Sequence, residues 1–274
     1  MNKKRFGFYS RYPDLSEIRN NKPKAVIYIV LRSVITATLI YSIVRQNHEN
    51  AMTCLLTLVL LMIPSFISRR LNIRLPNALE IIVISFVFCA NILGEIAAFY
   101  ERIAVWDTIL HTLNGFVCAG VGFGLIDILN RTDKFRVNLS PLFVCLFSFC
   151  FSMTVGTVWE FIEFGIDSLF GKDMQKDTVI HTINTVLLSG EKNTITTISG
   201  IDDVKINAES LGVGGYIDIG LIDTMKDLLV NFIGAAVFNL AGYFYLTNRS
   251  RKADFVEHFI PKRAESGKDN RSVK

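Results

Sequence analysis

Apolar residues are gathered along this chain into six long blocks that charged residues rarely interrupt. A helix needs about 20 residues to cross a hydrocarbon core of ~30 Å, so blocks of this length are typical of transmembrane helices. The six blocks run from Lys24 to Ile43, Ala51 to Ser68, Asn77 to Phe99, Ile103 to Leu129, Ser140 to Phe164 and Thr224 to Thr247. The pattern predicts an all-α integral membrane protein, a bundle of six transmembrane helices.

Composition agrees with this prediction, since 50% of the residues are apolar, 20% are charged and the mean hydropathy is +0.37. The 274 residues are most simply organised as one membrane domain over residues 24–247. A polar N-terminal segment, residues 1–23, precedes this domain. A basic tail, residues 248–274, follows it, and we expect the tail to be disordered because it is rich in charge and poor in apolar residues.

Positive charge alternates between successive connections, and short cytoplasmic loops are enriched in Lys and Arg. The basic groups are Lys3, Lys4, Arg5, Arg11, Arg19, Lys22 and Lys24 before the first block, Arg69, Arg70 and Arg74 after the second, Arg131, Lys134 and Arg136 after the fourth, and Arg249, Arg251, Lys252, Lys262 and Arg263 after the sixth. The other short connections hold only Arg45 beside Glu49 and Glu101 beside Arg102. We therefore expect a multi-pass protein of the cell membrane with both termini in the cytoplasm. The net charge of +4 reflects this topology and does not indicate nucleic-acid binding.

The connection between the fifth and sixth blocks, about residues 165–223, is too long for a turn and falls on the predicted outer side. Thr194–Ile198 and Val204–Ile206 are β-prone runs separated by Ser-Gly-Ile-Asp-Asp, which predicts a small β-hairpin. Such a loop can act as a lid over the outer face or as a plain connector, and the residues fit both.

Acidic residues concentrate at the predicted outer ends of four helices, although ionisable groups at membrane depth are costly. They are spaced three or four residues apart, which places each set on one side of its helix. The sets are Asp107, His111 and Asn114 in the fourth block, Glu160, Glu163 and Asp167 in and after the fifth, and Asp223, Asp227 and Asn231 in and before the sixth, with Glu95 near the end of the third. We expect a polar funnel that opens outward. The alternative is that each acid separately reaches the headgroups.

Several carboxylates in one pocket repel one another, so a bound cation or a shared proton must relieve the charge. Oxygen ligands with one imidazole suit Mg²⁺, Mn²⁺ or Zn²⁺. We expect Asp107, His111, Glu160 and Glu163 to be metal ligands or general bases. The remaining polar residues are expected to bind substrate, namely Asn114, Glu95, Asp167, Asp223, Asp227 and Asn231. A proton-coupled transporter would use the same acids as a relay.

A glycine-rich stretch, Gly120-Val-Gly-Phe-Gly124, lies within the fourth block. It follows no strand, so a nucleotide-binding loop is not indicated. The Gly-x-x-x-Gly spacing instead predicts close packing against a neighbouring element.

The acidic motifs also resemble known membrane families. The order Asp107-x-x-x-His111, Glu160-x-x-Glu163 and Asp227-x-x-x-Asn231-x-x-Gly234-Ala235 resembles that of VanZ-like proteins. The longer strings Trp106-Asp-Thr-Ile-Leu-His-Thr-Leu-Asn-Gly115, Trp159-Glu-Phe-Ile-Glu163 and Asp223-Thr-Met-Lys-Asp227 look like an uncharacterised bacterial family related to the YjdF inner-membrane proteins. The resemblance covers roughly Ile92 to Tyr243. It implies a cell-envelope membrane protein but no defined activity, and Glu163 stands where VanZ-like proteins usually have Gln.

Three functions are consistent with these patterns. The first is an envelope protein that binds or processes an amphiphilic or lipid-linked substrate at the outer leaflet, with a divalent cation in the acidic funnel and the bilayer as its partner. The second is a proton- or cation-coupled transporter, which would need polar residues deep in the inner half, where Asn91 is one of few. The third is a structural or assembly protein. The residues leave open whether a bond is broken and what oligomer forms.

Overall fold

The computed structural model of this protein describes residues 22–71, 73–130, 139–247 and 254–263. Many of the basic residues used to predict orientation lie outside these ranges, as do the last residues of the tail, 264–274. The basic residues outside the described ranges are those before residue 22 together with Arg131, Lys134, Arg136, Arg249, Arg251 and Lys252.

All six apolar blocks coincide with helices that are long and apolar enough to cross a membrane. These spans are Lys22–Val44, His48–Ser68, Asn77–Ile96, Trp106–Ile126, Pro141–Phe170 and Leu221–Thr247. The described chain divides into two units. The first holds the described residues of Met1–Trp106, Phe123–Leu139 and Tyr245–Lys274, and the second holds Asp107–Gly122 and Ser140–Phe244.

The first unit is built around the first three spans. Its elements are α1 (Lys22–Val44), α2 (His48–Leu60), α3 (Ile63–Leu71), β1 (Ile73–Arg74), α4 (Asn77–Phe88), a π-helical segment (Cys89–Ile96) and the short α5 (Phe99–Arg102). Ile35, Cys54, Leu61, Ile84 and Ile92 form its buried apolar core. The packing of these side chains holds the three spans together.

Two of these spans depart from the continuous helices predicted from sequence. The second breaks between Leu60 and Ile63, because Pro64 has no N–H to donate to the carbonyl of Leu60. The third changes to π-helix at Cys89 and ends at Ile96 rather than Phe99, since Ala98 takes the left-handed conformation at φ 58° and reverses the chain.

One buried acid in the first unit is paired with a neighbouring helix. Glu80, in the first turn of α4, forms an ion pair with Lys24 and accepts a hydrogen bond of 2.9 Å from the Tyr28 hydroxyl. Both partners lie on α1, so this carboxylate fastens α4 to α1.

Three long helices supply the framework of the second unit, α6 (Trp106–Asn130), α7 (Pro141–Phe170) and α8 (Leu221–Thr247). Of α6 only residues 107–122, and of α8 only residues 221–244, belong to this unit. Helix α7 begins where Ser140 caps it, its Oγ accepting a hydrogen bond from the Phe143 N–H, with Pro141 in the first turn. It runs six residues beyond its predicted end at Phe164 and stops at Gly171, which takes the left-handed conformation typical of helix C-termini. Helix α8 begins at Leu221 rather than Thr224, because the Asp218 carboxylate accepts a hydrogen bond from the Ile222 N–H.

Residues 171–220 connect α7 to α8 and are called the long loop below. It contains six short strands in three antiparallel pairs. The pairs are β2 (Thr178–Ile180) with β7 (Tyr216–Asp218), β3 (Thr182–Thr185) with β4 (Thr196–Ser199), and β5 (Lys205–Ile206) with β6 (Glu209–Ser210).

The predicted hairpin between Thr194–Ile198 and Val204–Ile206 does not form among these strands. Each run overlaps a strand, but β4 pairs with the earlier β3 and β5 pairs with the later β6. Asn207 and Ala208 both have positive φ, which lets the chain reverse directly after Ile206. The two-residue turn therefore gives the second run a nearer partner.

Part of the tail that was expected to be disordered is structured in the first unit. It forms α9 (Asp254–Glu257) and β8 (Lys262–Arg263), and β8 pairs antiparallel with β1. The side chains between them, Val256, Phe259, Ile260 and Pro261, are buried. A Cβ added at Gly124 would lie 2.3 Å from Pro261 Cδ, so the absence of a side chain at Gly124 allows Pro261 to pack against α6. Gly122, two residues earlier, packs on Phe151 within the second unit.

Candidate functional site

Three helices of the second unit bring four ionisable side chains together, and we call them the carboxylate–histidine cluster. Asp107 and His111 lie on α6, Glu160 on α7 and Asp227 on α8. Asp107 and His111 are four residues apart and therefore share a helix face. The imidazole Nε2 of His111 lies 3.5 Å from Asp107 Oδ1 and 3.9 Å from Asp227 Oδ2, and its Nδ1 lies 3.7 Å from Glu160 Oε1.

Three members of this cluster are close enough to share one metal ion. Asp107, His111 and Asp227 each offer a ligand atom, and the three atoms lie within 4.8 Å of one another. The predicted ligand set was Asp107, His111, Glu160 and Glu163. Asp227, which was predicted to bind substrate, is thus the third member of this group, whereas Glu160 and Glu163 are not members.

Burial raises the free energy of the charged carboxylates in this cluster, because it removes their hydration. Glu160 and Asp227 are each 3% exposed, whereas the Asp107 side chain is 33% exposed and gives the cluster an open side. Both carboxylate oxygens of Glu160 and Oδ2 of Asp227 are shielded from solvent, with no hydrogen-bond partner among the described residues. Carboxylates in this condition need a cation, a proton or a bound ligand to offset the lost hydration.

Two asparagines lie one turn further along their helices and join the helices rather than line an opening. Asn114 Nδ2 donates a hydrogen bond of 3.0 Å to Asn231 Oδ1, and Asn231 Nδ2 lies 3.5 Å from the carbonyl oxygen of Ser152 on α7. Asn231 is fully buried. Both residues were predicted to bind substrate, but their amides are engaged with one another and with the backbone.

Asp167 and Asp223 hold the start of the long loop at the ends of α7 and α8. Asp167 accepts hydrogen bonds from the backbone N–H groups of Met174 and Gln175, at 2.7 and 2.8 Å. Asp223 accepts one of 2.8 Å from the N–H of Lys176. These carboxylates were also predicted to bind substrate, and in this structure they position the loop.

Acidic side chains are crowded at this edge of the loop. Partial desolvation, followed by repulsion from Asp173, Asp218 and Asp167, raises the pKa of Asp177 above that of an ordinary aspartate. Lys176 acts in the opposite sense on this carboxyl and pairs with Asp173, so part of the negative charge at the start of the loop is offset.

Glu163 and Glu95 are not members of the group of three potential ligand residues. Glu163 is buried on α7, and its Oε1 accepts a hydrogen bond of 2.8 Å from Trp159 Nε1 on the same helix. Glu95 is an exposed residue of the π-helical segment in the first unit. The spacing of Asp227 and Asn231 places both on one face of α8, but it does not indicate that this face lies beside His111.

Comparisons with known proteins place the chain in a family without assigning it an activity. A family described as predicted membrane protein (DUF2238) matches residues 27–248. An uncharacterised protein of Thermotoga maritima is 28% identical over 96 residues, which are 35% of this chain and 47% of that protein. The match therefore spans about half the length of that relative. No solved structure matches. Because the family match covers all six spans almost completely, this chain belongs to the DUF2238 family of predicted membrane proteins.

Proposed function

We propose that this protein binds a divalent cation through Asp107, His111 and Asp227, and that the cation holds an amphiphilic or lipid-linked substrate at the outer leaflet of the cell membrane. One observation carries the proposal. Buried carboxylate oxygens of Glu160 and Asp227 have no hydrogen-bond partner among the described residues, and both face the ring of His111. A cation supplies the missing positive charge.

The donor atoms suit a cation that retains free coordination positions. One imidazole and two carboxylates provide three protein ligands, the number typical of catalytic rather than structural metal sites. Hard oxygen donors favour Mg²⁺ or Mn²⁺, and the imidazole also suits Zn²⁺. The partly exposed Asp107 marks the side from which a substrate oxygen would reach the cation.

The depth of the cluster supports a substrate with a polar head and an apolar chain. His111 lies five residues and Asp227 six residues from the first residue of their helices, about 7–9 Å along the axis. That distance places the cluster near the boundary between headgroups and acyl chains when the helices span the bilayer. Ile109 and Phe161, neighbours of the cluster in sequence, expose most of their surface and would face acyl chains.

Orientation is proposed from charge, with both termini in the cytoplasm and the long loop outside. Arg70 and Arg74, which are exposed between the second and third spans, fit a cytoplasmic connection. The likeness of the acidic motifs to VanZ-like and YjdF-related proteins supports a role in the envelope. Labelling of single cysteines at Arg70 and Leu187 by a membrane-impermeant thiol reagent in intact cells tests this orientation, with Leu187→Cys expected to react and Arg70→Cys to be protected.

Metal analysis of the purified protein tests the cation. Full-length protein prepared under metal-replete conditions should contain a stoichiometric divalent metal, and the Asp107→Ala and His111→Ala variants should lose it. Asp203→Ala is the matched control, because this loop carboxylate bonds to Ser210 and belongs to no ligand group among the described residues. Metal-free wild-type protein would refute the proposed cation site.

The same unpartnered carboxylates could instead share a proton, which makes a proton- or cation-coupled transporter the second candidate. Deep polar residues on the transport path would support it. Asn91, however, donates its amide to the carbonyl of Val87 in its own helix. Substrate uptake into proteoliposomes that follows an imposed proton gradient, by protein without bound metal, would favour the transporter.

A further inference from the structure

The two ring nitrogens of His111 face different carboxylates. Nε2 lies on the side of Asp107 Oδ1 and Asp227 Oδ2, at 3.5 and 3.9 Å. Nδ1 lies 3.7 Å from Glu160 Oε1. Since the two nitrogens occupy different corners of the ring and their lone pairs diverge, an ion bound at Nε2 lies away from Glu160.

A neutral imidazole has one nitrogen that accepts and one that donates. When it binds a metal through the first, the second usually donates its hydrogen to a carboxylate or carbonyl oxygen, which fixes the tautomer and the ring orientation. Glu160 is placed for this task. It comes from a different helix, it is 3% exposed, and no described donor meets its oxygens within 3.5 Å at hydrogen-bonding geometry. The Thr224 hydroxyl on α8 also interacts with this carboxylate.

We propose that Glu160 is a positioning residue and not a ligand of the cation. Its Oε1 accepts the Nδ1 hydrogen of His111, which directs Nε2 toward the cation held with Asp107 and Asp227. The assignment rests on the proposed cation site. In it Asp107 and Asp227 bind the ion, and Glu160 orients the imidazole. It also accounts for a buried carboxylate that lies outside the group of three ligand atoms.

Titration of purified full-length protein with Co²⁺ tests this assignment, because the visible absorption of Co²⁺ reports its ligand set. Glu160→Ala removes the acceptor and should lower Co²⁺ affinity by roughly 10- to 100-fold, the usual cost of losing such a partner. Glu160→Gln keeps an oxygen that can accept from Nδ1 and should restore most of that affinity. Both variants should retain the wild-type absorption spectrum. Asp227→Asn, which weakens a ligand, should change the spectrum as well as the affinity.

The outcomes separate the assignment from the function on which it rests. Wild-type protein that fails to bind Co²⁺ refutes the proposed cation site itself. If the wild type binds, Glu160→Ala with unchanged affinity refutes the positioning role alone. A Glu160→Gln spectrum altered as in Asp227→Asn makes Glu160 a ligand and also overturns the assignment. If the Ala variant does not fold, the nearly isosteric Gln variant still decides whether Glu160 is a ligand, and an altered spectrum would overturn the assignment.

Discussion

At the scale of single residues, buried polar side chains hydrogen-bond across the contacts between the three long helices of the second unit. Asn231 is fully buried, yet its amide reaches both neighbouring helices, through Asn114 on α6 and the backbone of Ser152 on α7. Ser152 in turn donates a hydrogen bond of 2.7 Å from Oγ to the carbonyl oxygen of Gly115. Such contacts link transmembrane helices because no water is present to replace them.

We expect Asn231→Leu to destabilise the protein by roughly 1–2 kcal/mol, although leucine has a similar volume. The substitution leaves the Nδ2 donor of the partly buried Asn114 without its acceptor. The measurement is the fraction of detergent-solubilised protein that stays monodisperse on size exclusion after stepwise heating. Asn91→Leu is the control, since among the described residues that amide bonds within its own helix alone and its loss should matter less. Equal losses for the two variants would show that the interhelical bond contributes nothing specific.

At the scale of elements, glycines set how closely α6 and α8 approach. A Cβ added at Gly115 would lie 2.0 Å from the carbonyl oxygen of Asn231, and one added at Gly234 would lie 2.0 Å from that of Thr112. Both obstacles are backbone atoms, which a rotamer change cannot move. This close approach is what brings Asp227 of α8 beside His111 of α6.

Gly115→Ala should therefore lower stability by about 1–3 kcal/mol or more, the usual range for overpacking. It should also weaken metal binding, because the helices that carry Asp107 and Asp227 must separate. Gly165→Ala is a matched control within α7, where an added Cβ meets nothing within 4 Å. The comparison requires thermal stability and Co²⁺ affinity for both variants. A Gly115→Ala protein with wild-type values in both assays would contradict the close packing.

Structural features that lie within one element can be predicted from this sequence, whereas contacts between two elements cannot. The six spans follow from the length of the apolar blocks, and the shared face of Asp107 and His111 follows from their spacing. The place of Asp227 in the ligand group depends on how α8 is rotated against α6, which its own sequence does not encode. The predicted strand pairing is wrong for the same reason. The run that forms β4 could pair with a strand before it or after it, and in the structure it pairs with the earlier β3.

At the scale of the whole molecule, the two units differ in what they bury. Apolar side chains and the Glu80 ion pair account for much of the described interior of the first. The second buries His111, Glu160 and Asp227 of the carboxylate–histidine cluster together with Ser148, Ser152 and Asn239. The family match extends across residues 27–248 and so includes both. The tail segment 254–263 lies beyond that match, and what it contributes to the first unit can be tested separately.

Truncation distinguishes this segment from the residues that follow it. A chain ending at Ala253 loses the burial of Val256, Phe259 and Ile260 and the pairing of β8 with β1. We expect its free energy of unfolding to fall by at least about 2 kcal/mol, which is the lower end of the cost of removing one large buried side chain. A chain ending at Arg263 keeps all of these contacts and should melt like the full-length protein. The midpoint of heat-induced aggregation in detergent measures both. If the two truncated chains behaved alike, the docked tail would not stabilise the first unit, and the match of Gly124 to Pro261 would have no energetic consequence.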